Sequence, residues 1–268
     1  MRTLDKQEGY FHTVSSDDRR FGIWVNIAGH YTTHKHRVMG RTMDDYQLLY
    51  CVKGKGKVSM GTSTWEIQPG DLFIVVPNIP HTYYCDPDEG WEVWWVHFQG
   101  PYAKQLMDFA HVSLSRFVFK LGVSKKLIGD LSAIMRLIKT KDYGSALSAS
   151  SKLISIFVEI KKTAFYRELP GAMLLSEADY EVSSVDALAK KAGYSKYHFI
   201  RKFKRMTGLS PWHHILLMRI SRAKEMLISG LSVKETAHTL GFRDPNYFSR
   251  VFRKKTGLSP LDFRTKHQ

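Results

Sequence analysis

The chain has 268 residues, of which 43% are hydrophobic and 24% charged, and these proportions exclude a largely disordered protein. Lys and Arg outnumber Asp and Glu by 40 to 25, which gives a net charge of +15, and two cysteines are too few for a disulfide scaffold. The longest apolar run, Leu72–Val76, is far shorter than the roughly 18 residues of a membrane span, and the first residues lack a secretory signal, so we expect a cytoplasmic protein.

Short strand-like segments separated by turns occupy the region from about residue 20 to residue 100. The segments are Tyr46–Val52, the two arms Lys57–Met60 and Thr64–Ile67 of a hairpin, the buried Leu72–Val76 and the aromatic Trp91–Phe98. Strands at such regular spacing predict a closed jelly-roll barrel.

From about residue 102 to residue 165 the apolar residues recur with a helical period. They form two stripes: Leu127, Leu131, Ile134 and Ile138, then Ala146, Ala149, Leu153, Phe157 and Ile160. The pattern predicts a helical hairpin that covers the barrel. Pro170 and Gly171 indicate a linker over 168–176, so we expect one domain at 1–168 and a second at 169–268.

The second domain is strongly basic and contains an internal repeat. Residues 169–268 hold 18 Lys or Arg against 8 Asp or Glu. Residues 184–194 return as 232–242, and residues 199–211 return as 248–260. The pattern of each copy predicts two helices joined by a glycine turn. This is a helix-turn-helix, and we expect one at 183–208 and a second at 232–257. Helix starts are indicated by Ser183 with Asp186 and by Ser232 with Glu235.

The second helix of each copy has an apolar face and a basic face. Phenylalanines recur at i and i+4 (Phe199 and Phe203, then Phe248 and Phe252), so we assign them to the core. The long helical pattern from Pro211 to Ser229 would hold the two copies at a fixed separation. A separation of about 34 Å would place both second helices in successive major-groove turns of a DNA duplex, and residues 170–268 should then bind DNA alone. A helical repeat that binds protein is the alternative.

Both copies share the pattern G-[YF]-x(3–4)-[YH]-F-x-R-x-F-[KR] and the sequence T-G-L-S-P, and these resemble the DNA-binding domain of the AraC/XylS transcription regulators. The N-terminal phrases K-G-x-G, P-G-D-L, P-x-x-P-H and W-W-V-H-F resemble the cupin sensor of the same family. The resemblance implies a multidomain α+β protein with an N-terminal cupin or jelly-roll barrel, a helical hairpin and an all-α double helix-turn-helix. It also implies a homodimeric activator, not an enzyme, whose partners are double-stranded DNA, a small-molecule effector and RNA polymerase.

The family reads DNA bases with the exposed face of each recognition helix, which is the second helix of each copy. Carried over to this chain, the base-reading residues are Tyr197, Ile200 and Arg201 in the first copy, and Pro245, Asn246, Ser249 and Arg250 in the second. Lys196, Lys204 and Lys254 flank them, and lysines there contact phosphate. Ile200 stands where a polar residue is common, which indicates readout by a methyl contact.

By the same resemblance, Arg37, Tyr83, Val93 and Trp95 fall near the positions that contact a sugar effector. The Trp95 indole would stack on a sugar face and Arg37 would hold hydroxyls or a carboxylate. Neighbouring side chains of a strand point to opposite faces, so the alternative to a sugar contact is that one of Trp94 and Trp95 is simply a core residue. Val93 replaces the polar residue of arabinose responders, which argues against arabinose itself.

Metal-binding cupins use a histidine pair such as His34 and His36, a later histidine such as His81, and a carboxylate. In this chain Arg37 and Arg41 stand where the carboxylate should be, and cations oppose metal binding. We therefore expect neither metal nor cofactor. The alternatives are a metal-dependent cupin enzyme fused to a DNA-binding domain, and a scaffold without a ligand.

Overall fold

The computed structural model describes residues 6–171, 176, 179 and 184–267. The chain forms two compact units that divide between Ala164 and Phe165. The first unit contains all the described strands, and the second is helical.

The strands of the first unit form two antiparallel sheets. One has the order β1 (Lys6–Phe11), β2 (Trp24–Thr33), β9 (Trp91–Gln99), β4 (Tyr46–Gly54), β7 (Asp71–Val75) and β10 (Val118–Lys120). The other has the order β3 (Arg37–Arg41), β8 (His81–Cys85), β5 (Gly56–Met60) and β6 (Ser63–Ile67). Side chains from both sheets share one buried cluster, so the sheets enclose a common interior as a jelly roll does.

Strand β9 shows how the alternation of side chains builds two cores. Val93 and Trp95 belong to the interior between the sheets, whereas Trp94, Val96 and Phe98 belong to the cluster under the helices. Trp95 has room because position 29 is glycine: a Cβ there would lie 2.5 Å from its indole ring. Trp94 is therefore the core residue of the pair, and Trp95 faces the interior.

The helices of the first unit are α1 (Ser16–Phe21), α2 (Ala103–Ala110), α3 (Lys125–Thr140) and the first part of α4 (Ser145–Glu168). Helices α3 and α4 form the predicted hairpin and bury their apolar stripes on the six-stranded sheet. This layer gives the barrel a second hydrophobic core.

The last turn of α4 belongs to the second unit, so the division falls four residues before the position expected from the sequence. The expected linker is wrong at its start. Leu169 is fully buried, and a Cβ on Gly171 would lie 1.7 Å from the carbonyl oxygen of Ala192. Residues 172–175 of that linker lie outside the described residues.

The second unit contains α5 (Val185–Lys191), α6 (Lys196–Thr207), α7 (Pro211–Ile228), α8 (Val233–Thr239), α9 (Pro245–Thr256) and α10 (Pro260–His267). The cap of α5 is Ser184, whose Oγ accepts from the Ala187 N–H, and not the expected Ser183, which is outside the described residues. Ser232 and Glu235 form the expected capping box of α8. Gly193 and Gly241, at φ 75° and 72°, end the first helix of each copy.

Candidate functional site

The two recognition helices, α6 and α9, expose one face each. Phe199 and Phe203 of α6, and Phe248 and Phe252 of α9, are at most 1% exposed and hold each helix to its own core. The opposite faces are therefore fixed in direction by packing, which a readout helix requires.

On α6 the sequence-predicted residues lie on one exposed face. Tyr197 is 85% exposed, Lys196, Arg201 and Lys204 are exposed, and Ile200 is half-buried. The Arg201 guanidinium forms no hydrogen bond or ion pair with any described residue, so its donors are available to a base edge.

On α9 the corresponding face carries Asn246, Arg250 and Lys254, all exposed, with Pro245 and Ser249 half-buried. The Ser249 hydroxyl donates to the Pro245 carbonyl oxygen at 2.9 Å, which leaves it an acceptor toward DNA. Asp244 caps the helix by accepting from the Asn246 N–H at 2.8 Å.

In the barrel, the structure brings together three of the four predicted effector residues. Tyr83 and Val93 are buried in the interior, and Trp95 packs against the same cluster. Arg37 is on the other face. It pairs with Tyr84 across β3 and β8, its guanidinium carbon lies 5.8 Å from the Tyr84 ring, and it is exposed.

The cation on the interior side of β3 is Arg41, which is exposed at the end of this strand and was expected only to oppose metal binding. Val38 pairs with Tyr83 and Arg41 with His81, so β3 has one more residue than β8 between these pairs. Gly40, at φ 57°, takes up this bulge and returns Arg41 to the face of Val38. A glycine inside a strand is the sequence signal for such a bulge.

Arg41 lines a cavity of about 570 Å³ at one end of the barrel, together with Asp45, Asn78 and His97. The Nδ1 atom of His97 lies 3.1 Å from both carboxylate oxygens of Asp45. Arg41 also acts on the interior. Burial lowers the pKa of His36, and the nearby charge of Arg41 lowers it further.

Five polar atoms of the interior are buried without a hydrogen-bond partner among the described residues. They are Tyr31 Oη, His36 Nδ1, His81 Nε2, Trp91 Nε1 and Trp95 Nε1. The Tyr83 ring lies among them, with its centroid 5.5 Å from His36, 5.9 Å from His81 and 6.3 Å from Trp91. Each such atom costs about 1–3 kcal/mol until it is bonded.

The protonation of His81 follows from its neighbour. Its Nδ1 lies 3.2 Å from the Ile79 carbonyl oxygen, which only accepts, so Nδ1 carries the proton and Nε2 is an acceptor. Burial, as the largest cause, lowers the pKa of His81, and the Arg41 charge adds to this. The interior thus offers indole donors at Trp91 and Trp95 and an imidazole acceptor at His81.

Among the described residues, no group of three or more His, Cys, Asp or Glu side chains is placed to hold a metal ion. Cys51 and Cys85 are buried and are not joined in a disulfide, and burial raises the pKa of the Cys51 thiol to about 12, so Cys51 is unreactive. Within the described ranges, no helix is long and apolar enough to span a membrane.

Two family models match the chain. An AraC-like ligand binding domain matches residues 25–157, and a helix-turn-helix domain matches residues 188–266. They confirm the predicted combination of a jelly-roll sensor and a helical DNA-binding domain.

Curated relatives match both units. The chain is 28% identical to the MmsAB operon regulatory protein of Pseudomonas aeruginosa, over 95% of this chain and 85% of that protein. It is 22% identical to the lactose operon transcription activator of Staphylococcus xylosus, over 89% of this chain and 87% of that protein. It is 24% identical to the raffinose operon transcriptional regulatory protein RafR of Pediococcus pentosaceus, over 82% of this chain and 85% of that protein.

Proposed function

We propose, from the premise that this chain belongs to the AraC family of transcription regulators, that a small sugar or related polyol bound inside its barrel controls its binding to DNA. As a member of that family it is a DNA-binding regulator and not an enzyme.

The five unpartnered polar atoms of the interior carry this proposal. They include donors at Trp91 and Trp95 and an acceptor at His81, and each sugar hydroxyl both donates and accepts. The aromatic rings around Tyr83 offer flat apolar surfaces for the C–H faces of a sugar ring. The names of the lactose and raffinose operon regulators support the same class of effector.

Arg41, and not Arg37, is the arginine placed to contact the effector. Arg41 is exposed and lines the cavity at one end of the barrel, where its guanidinium would hold a hydroxyl or carboxylate of the effector, whereas Arg37 pairs with Tyr84 on the other face. We keep Tyr83, Val93 and Trp95 as lining residues and add Tyr31, His36 and His81.

Tyr31→Phe separates a ligand site from a merely structural core. Removing an unbonded buried hydroxyl should stabilise the protein without ligand by roughly 1 kcal/mol, because that hydroxyl has no partner to lose. The same change should reduce the rise in melting temperature that a sugar produces. Thermal unfolding with a panel of mono- and disaccharides measures both effects.

Tyr84→Phe is the matched control, because Tyr84 lies on the outer face beside Arg37. It should leave every sugar response unchanged. A Tyr31→Phe protein that is less stable without ligand and keeps the full sugar response would contradict the proposed site.

We also propose that the protein is a homodimer joined through α4. Leu147, Ile154 and Val158 are 40–42% exposed at spacings of seven and four residues, which is the pattern of a helix-pairing seam. The dimer would act in the cytoplasm as an activator, for which the name of the lactose operon transcription activator is the support. As an activator it would contact RNA polymerase.

Ile154→Glu should convert the dimer to a monomer in sedimentation, because it places an unpaired charge in the seam. Ser148→Glu, exposed on the same helix but about a quarter turn away from the seam, should weaken the dimer less. Unchanged sedimentation of the Ile154→Glu protein would place the dimer contact on another surface.

A further inference from the structure

The repeat allows each basic residue of the first helix-turn-helix to be compared with its counterpart in the second. Arg205 of α6 and Lys254 of α9 are 49 residues apart and occupy the same position. The Arg205 guanidinium is ion-paired with the Glu168 carboxylate at the end of α4. Lys254 forms no ion pair or hydrogen bond with any described residue.

Other cations of the first copy are also occupied. Lys202 donates to the main-chain carbonyl of Glu168 at 2.6 Å, and Lys196 lies 2.8 Å from the Asp186 carboxylate. Lys191 lies 2.7 Å from the Asp179 carboxylate. Acidic groups therefore neutralise Lys191, Lys196 and Arg205, and a carbonyl oxygen holds Lys202.

The second copy shows the reverse arrangement. Lys234 stands where the first copy has Asp186, 48 residues earlier, so the same surface changes from acidic to basic. Its exposed cations have no acidic partner among the described residues: Lys234, Arg243, Arg250, Arg253 and Lys254. The charge available for phosphate is concentrated in this copy.

We infer that the two helix-turn-helix units bind DNA unequally, with the second supplying the strong, salt-sensitive phosphate contact and Glu168 and Asp186 weakening the first. Arg205 lies one helical turn beyond Arg201 and on the same side of α6, so it faces the duplex that Arg201 reads. A phosphate that contacts Arg205 must displace the Glu168 carboxylate, which then stays near the DNA and repels it. This inference needs only the DNA binding of the family and does not depend on the effector.

The first arm of the test compares Arg205→Gln with Lys254→Gln in the full chain. The probe is a fluorescent duplex of random sequence, titrated between about 50 and 200 mM salt. Lys254→Gln should lower the slope of log K against log salt by about 0.9, the value for one phosphate contact. Arg205→Gln should change that slope much less, because its charge is already neutralised by Glu168.

The second arm releases Arg205 with Glu168→Gln, which keeps the main-chain carbonyl that Lys202 uses. The slope should steepen by about 0.9, and Arg205→Gln in this background should then cost as much as Lys254→Gln. Asp186→Asn should steepen the slope independently by freeing Lys196. Glu225→Gln, which breaks an exposed ion pair on α7, is the control and should leave the slope unchanged.

Equal slope changes for Arg205→Gln and Lys254→Gln in the wild-type background would overturn the inference. So would unchanged slopes for both Glu168→Gln and Asp186→Asn in proteins that melt at the wild-type temperature.

Discussion

A fragment that begins at Phe165 should fold and bind duplex DNA, whereas a fragment that begins at Pro170 should lose the core of its first helix-turn-helix. Leu169 is fully buried there, and Phe165 and Tyr166 pack against the same cluster. The Phe165 and Phe203 ring centroids are 5.9 Å apart. Each large buried side chain removed costs about 2–5 kcal/mol, against about 5–15 kcal/mol for a whole domain. Thermal unfolding of the two fragments measures the difference.

The matched control is Leu169→Ala in the longer fragment, which should unfold at an intermediate temperature because it removes one of the three side chains. Since α6 rests on this cluster, the shorter fragment should also lose affinity for DNA. Cooperative unfolding of both fragments at one temperature would show that residues 165–169 do not belong to the DNA-binding unit.

Arg250→Ala should cost roughly 1–3 kcal/mol of binding at the preferred DNA sequence and remove discrimination at one base pair. Arg250 is exposed on the reading face of α9 and has no partner among the described residues. Lys254→Ala, one turn later, should weaken all sequences alike, because a phosphate contact carries no sequence information. Selection from a random DNA pool with each variant measures both effects.

Arg201→Ala extends this test to the first copy, where the loss should again be confined to one base pair. If Arg250→Ala and Lys254→Ala gave the same selected sequences and equal losses, α9 would be rotated from the orientation that its buried phenylalanines indicate.

The helix-turn-helix units were predictable because their signals are local. Glycine turns, serine caps and the Asp244-Pro245 start mark each helix end, and paired phenylalanines mark the core face. The boundary at Phe165 was not predictable, because the helical period of α4 runs through it without a break. Only packing shows which unit a turn of that helix joins.

The barrel strands were predictable from their alternation, but the residues facing the interior depended on register. Arg37 and Arg41 would share a face in a regular strand, and the bulge at Gly40 separates them. Tyr31 was missed as an interior group because β2 lacks a clear alternating pattern, and His36 was missed because it lies in the connection between β2 and β3. The core and interior roles of Trp94 and Trp95 could be assigned only after the pairing of β9 with β2 and β4 was known.

If an effector in the barrel changes the affinity for DNA, then DNA must change the affinity for the effector by the same factor. The sugar with the largest thermal shift is titrated into the full chain with and without saturating duplex, and the duplex is titrated with and without that sugar. The two affinity ratios should be equal and different from one, because coupling between two sites is reciprocal. A sugar that binds through Tyr31 and His81 yet leaves the affinity for DNA unchanged would show that the barrel does not control DNA binding.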